Sequence, residues 1–62
     1  MNNYIDRVIQ EREDLIVKIT KLDTFLQTKS ESLSSEEGLL LRHQLHIMQM
    51  YADTLTARLE LI

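Results

Sequence analysis

The chain has 62 residues, a net charge of −3 from seven Lys and Arg against ten Asp and Glu, and no cysteine, proline or tryptophan. One small domain is the most this length supports, and the acidic balance argues against coating DNA, RNA or an anionic membrane through bulk charge, while leaving room for a local basic pocket. No apolar run approaches the roughly 20 residues of a membrane span, and the polar start MNNYIDR lacks the apolar core of a signal peptide, so a cytoplasmic protein with no membrane partner is expected.

The first element starts at Asn3, whose side chain suits an N-cap, with Asp6 three residues on. Ile5, Val8, Arg12, Leu15, Ile19, Leu22 and Leu26 then follow one another in steps of three and four, which is one helical seam. Ile9, Ile16 and Phe25 widen the apolar face beyond that seam, so the helix is expected to have more than one neighbour. Arg7 with Glu11, and Asp14 with Lys18, are spaced as four-residue charge pairs.

The stretch TKSESLSSEEG loses the periodicity and gathers serines, which compete with the helical backbone for hydrogen bonds. It reads as the turn. Ser34 and Glu37 are spaced as a capping box for a second helix, with Leu33 placed to staple onto its first turn. Leu41, Leu45, Met48, Ala52, Leu55, Leu59 and Ile62 form that helix's seam, and Leu40, Gln44, Ile47, Tyr51 and Arg58 run beside it. The predicted fold is all-α: a single domain over 1–62, with helices over about 3–28 and about 35–61 and a turn over about 29–34, closing as an antiparallel two-helix hairpin.

Centring the turn near Glu31 and Ser32 makes facing residue numbers sum to about 63, which sets Arg12 against Ala52 and Tyr51. A hairpin covers only one side of each helix, and Ile9, Ile16, Phe25, Leu40, Ile47 and Leu61 fall outside the paired seams. Without disulfides or a metal, a chain this small gains stability by assembling, and a homo-oligomeric helical bundle is expected.

The candidate chemistry is sparse. His43 and His46 supply two imidazoles, too few for a metal site, and no cysteine nucleophile or serine–histidine arrangement is present, so neither catalysis nor a cofactor is expected. Gln44 has four hydrogen-bonding sites to satisfy and either reaches solvent or recognises something. Tyr51 and Arg58 share a helix face, and the expected register brings Arg12, Tyr4 and Arg7 toward the same open end. They offer flat stacking surfaces and phosphate-seeking guanidinium forks, or else Arg12 pairs with a glutamate and Tyr51 closes the bundle edge.

The pattern YIDRVIQEREDL, then KITKLDTFL, a serine-rich loop and LLLRHQLHIMQMYADTLTARLELI resembles small phage and prophage helical-hairpin proteins related to crAss-phage. These are similar to the hairpin domain of anti-CBASS and anti-Thoeris nucleotide sponges. The matching spacing runs through Leu40, Gln44, Met48, Tyr51, Leu55 and Arg58, with Glu11, Leu15, Lys18, Leu22 and Phe25 in the first helix. The resemblance implies a non-catalytic anti-defence protein of an infected bacterial host that oligomerises and sequesters an immune signalling nucleotide, either a cyclic oligonucleotide or an ADP-ribose derivative. Under that implication, the chemistry of Tyr4, Arg7, Arg12, Lys18, Gln44, Tyr51 and Arg58 suits them to phosphate, base and ribose contacts. The alternatives are a small phage protein that inhibits or adapts a protein partner, and a structural bundle without a ligand.

Overall fold

The structure is a computed structural model that describes residues 3–62; the first two residues of the expected 1–62 domain lie outside it. Two helices, α1 (Tyr4–Lys29) and α2 (Ser35–Glu60), are joined by a single 3₁₀ turn at Ser30–Ser32, and the described residues contain no strand. They pack as a hairpin measuring 46 × 16 × 13 Å.

Both helix starts are built by their caps. The Asn3 side chain accepts from the Asp6 amide at 3.0 Å. At Ser34 the capping box closes in both directions, with the Glu37 amide donating to the Ser34 hydroxyl at 3.1 Å and the Ser34 amide donating to the Glu37 carboxylate at 3.2 Å. The staple expected from Leu33 has no side chain to meet at the fourth helical position, which is Gly38, although Leu33 is half-buried. At the turn, the Ser32 hydroxyl donates to the Lys29 carbonyl at 2.7 Å, so a serine bonds back to the end of α1 while the chain leaves it.

All seven members of the first seam are buried or half-buried, and so are six of the second, the exception being Ile62. Burial is deepest at the open end of the hairpin. There Val8 is 3% exposed and Leu55 fully buried, with Ala52 beside them. Small Ala52 next to large Leu55 and Val8 lets the helices approach closely. Ile9, Ile16, Phe25, Leu40, Ile47 and Leu61, the residues outside the paired seams, are all exposed.

The charge pairs Arg7–Glu11 and Asp14–Lys18 are not formed: among the described residues Asp14 instead accepts from the Gln10 amide at 2.9 Å. Exposed ion pairs gain too little to hold two long side chains in one geometry.

Two stability outcomes follow from this packing. Leu55→Ala empties the most buried site and is expected to cost about 2–5 kcal/mol in urea unfolding followed by circular dichroism. Gly38→Ala is expected to stabilise by about 0.5–1 kcal/mol. An added Cβ there meets only the tip of the flexible Arg42 side chain, at 3.2 Å, which can swing aside.

Candidate functional site

The helix period sets all the sequence-predicted residues except Arg12 along one flank of the hairpin, in two lines. On α1, Tyr4, Glu11 and Lys18 recur every seven residues; on α2, Gln44, Tyr51 and Arg58 do the same. The two lines are joined at the open end. Arg58 donates to the Tyr4 hydroxyl at 2.7 Å, and its guanidinium carbon lies 5.3 Å from the centre of the Tyr4 ring. That bond ties the first turn of α1 to the last turn of α2. It also fixes a register in which Glu11 lies opposite Tyr51 and Lys18 opposite Gln44.

Between these lines lies an open groove of about 500 Å³, lined by Arg7, Gln10, Glu11, Asp14, Leu15, Lys18 and Tyr51. Tyr51 supplies a half-exposed ring as one wall, and α1 supplies a polar wall with two cations and two carboxylates. Neither Arg7 nor Lys18 is held in an ion pair with its four-residue neighbour, so both side chains can turn to a guest. Gln44 is exposed one rung further toward the turn and outside the lining, its amide making a long 4.0 Å contact with the Met48 sulfur.

Arg12 lies elsewhere. The expected register sets it beside Ala52 and Tyr51; in the structure its Nε donates to the Thr56 hydroxyl, and Thr56 in turn donates to the Ala52 carbonyl at 3.0 Å. Thr56 and Tyr51 are five residues apart, about 140° around the helix, so Arg12 leaves the seam on the flank opposite the groove. Its role is to clasp the two helices. The side chain is half-buried along the seam while the head group finds an acceptor at its edge.

Of the predicted site residues, the groove thus gathers Arg7, Lys18 and Tyr51; Tyr4 and Arg58 close its open end; Gln44 borders it; and Arg12 is directed away. Gln10, Glu11, Asp14 and Leu15 were not among the candidate binding residues, although Leu15 was read as a seam member and both Glu11 and Leu15 belong to the spacing that carries the resemblance. The signal for Glu11 was its seven-residue spacing from Tyr4 and Lys18, the same repeat that links Gln44, Tyr51 and Arg58 on α2.

Fold and site together define a small helical hairpin with an aromatic and mixed-charge groove along one flank. The family profile described as Sequestin matches residues 2–61, nearly the whole chain, and the chain belongs to that family. No curated protein and no solved structure matches it.

Thr56→Val, which keeps the shape and removes the acceptor, is expected to lower stability by about 1–2 kcal/mol. Thr56→Ser is expected to restore most of the loss in the same urea titration.

Proposed function

We propose that this hairpin holds a small signalling nucleotide and withholds it from other proteins without cleaving it. The ligand is a cyclic oligonucleotide or an ADP-ribose derivative used as a bacterial immune signal, and the setting is phage anti-defence. The observation that carries this is the groove's lining. Tyr51 offers a flat face on which a base can stack, and Arg7 and Lys18 offer positive charge to phosphates.

Glu11 and Asp14 narrow the choice. They offset the charge of Arg7 and Lys18, so the groove has no net pull on inorganic phosphate, whereas ribose hydroxyls and base amino groups are donors that carboxylates accept. A nucleotide carries donors and phosphates on one scaffold and can satisfy both kinds of lining. The family's name speaks of sequestration, in keeping with binding alone.

A thermal-shift screen against cyclic dinucleotides, cyclic trinucleotides and cyclic ADP-ribose isomers tests this. A ligand at about 100 times its Kd adds roughly 2.7 kcal/mol, a readily measured rise in Tm. Ligand released by heating is expected to elute unchanged on chromatography. Tyr51→Ala is expected to weaken binding by about 5- to 150-fold, the range of one lost stacking contact of roughly 1–3 kcal/mol. A folded protein that none of these nucleotides stabilises would count decisively against the proposal.

A further inference from the structure

The charge of the groove balances overall but not along its length. From the open end, α1 presents Arg7, then Glu11 and Asp14, then Lys18, so the carboxylates occupy the middle and the two cations lie about 16 Å apart along the helix. Arg58 also stands at the open end, tied to Tyr4 one turn before Arg7. That end therefore holds two guanidiniums. The acidic neighbours Asp6 and Glu60 come two residues after Tyr4 and Arg58, about 200° around their helices, and face away. We infer that the open end is the groove's phosphate end, where Arg7 and a Tyr4-held Arg58 take the anion, so that a guest lies in one direction with its sugar and base donors toward Glu11.

Arg58 is prepared for this role in a way that Lys18 is not. It is half-buried, and the bond to the Tyr4 hydroxyl and the face of the Tyr4 ring already fix its guanidinium. The bond uses one of five N–H donors, and among the described residues neither Arg7 nor Arg58 meets a carboxylate. A guanidinium fork matches two phosphate oxygens at once, and a fork ordered beforehand loses less freedom on binding. Lys18 is an exposed point charge on a mobile stem, with the Asp14 carboxylate one turn away. Tyr4 adds a donor of its own. Its hydroxyl oxygen accepts from Arg58, which leaves the hydroxyl proton to reach a phosphate oxygen.

The middle of the groove sets the other half of the direction. Asp14 accepts from Gln10, whereas Glu11 has no hydrogen bond among the described residues. Both carboxylates repel a phosphate placed midway, and Glu11, opposite Tyr51, accepts from a hydroxyl or amino group of a guest stacked on that ring. The rung of Tyr4 and Arg58 lies seven residues, about 10 Å, from the rung of Glu11 and Tyr51. Phosphate and base thus have separate places on one flank. That the guest is a nucleotide rests on the proposed function.

ADP-ribose, with a base, riboses and a diphosphate on one scaffold, and adenosine, which lacks phosphate, are the probes. Nitrogen-15 NMR of the arginine side chains has internal controls in Arg12 and Arg42. ADP-ribose is expected to shift the Nε–H signals of Arg7 and Arg58 and to leave the two controls in place, while adenosine shifts only the Tyr51 ring signals. Tyr4→Phe keeps the ring against Arg58 and removes the hydroxyl. It is expected to weaken ADP-ribose relative to adenosine by about tenfold, the loss of one hydrogen bond to a charged group. A tyrosine that only clamps the helices would lower stability in urea and leave that ratio unchanged, which overturns the inference. ADP-ribose shifts at all four arginines or at none overturn it as well. If Tyr51 responds while Lys18 takes the phosphates, the phosphate end is removed and the proposed function stands. Shifts at Arg7 and Arg58 with an unmoved Tyr51 ring leave the phosphate end and remove the base stacking on which the proposed function depends.

Discussion

Two helices in antiparallel contact share one line of side chains, and every other apolar group on either helix stays wet unless something further covers it. That constraint shapes this molecule. The shared line is well made, with Val8, Ala52 and Leu55 buried toward the open end and every other member except the exposed Ile62 half-buried. One line is nevertheless a thin core for 62 residues, because a chain of this size gains little apolar burial against the entropy of ordering it. Much of the hairpin's precision is therefore carried by polar contacts at the seam's margins: the capping box at Ser34, the Arg12 clasp to Thr56 and the Arg58 bond to Tyr4.

The two long-range polar contacts act on opposite flanks of the same seam. Arg12 reaches out on one side to Thr56, and Tyr4 and Arg58 meet on the other. Together they resist sliding and rolling of one helix on the other, which apolar contacts alone restrain weakly, since a leucine seam shifted by one heptad is still apolar. A single arginine among apolar seam positions is costly to seat unless its head group is satisfied. Once satisfied, it specifies register in the way a lone polar residue does in a coiled coil.

Much of the fold was legible in the sequence because helical spacing is an unambiguous code over seven seam positions. Both seams could be read residue by residue, and the serine-rich stretch marked the reversal. The turn's 3₁₀ geometry was not legible, since serine excludes little and the final step depends on one hydroxyl finding the Lys29 carbonyl. The flank taken by Arg12 was also hidden. A long side chain in a seam can leave on either side, and the position of an acceptor 44 residues away decided it. The groove's carboxylates were missed for a related reason. Glu11 and Asp14 look like any solvated helix surface until the register places a tyrosine opposite them.

The polar line on α2 is the least economical feature of the chain for a structure that only had to fold. Arg58 is satisfied by the Tyr4 hydroxyl and ring, but Gln44 has only a distant sulfur, and the Tyr51 hydroxyl makes no hydrogen bond among the described residues. Leucine at either position would have joined the seam of α2 and its outward apolar line, which includes Leu40 and Ile47, into one broad face and strengthened any bundle built on it. Such a face would also associate without preference for register or partner, because nothing polar would penalise the wrong match. A glutamine and a tyrosine there keep the two seams distinct, one for the chain's own α1 and one facing outward. They also leave hydrogen-bonding capacity and a flat ring exposed between the two seams.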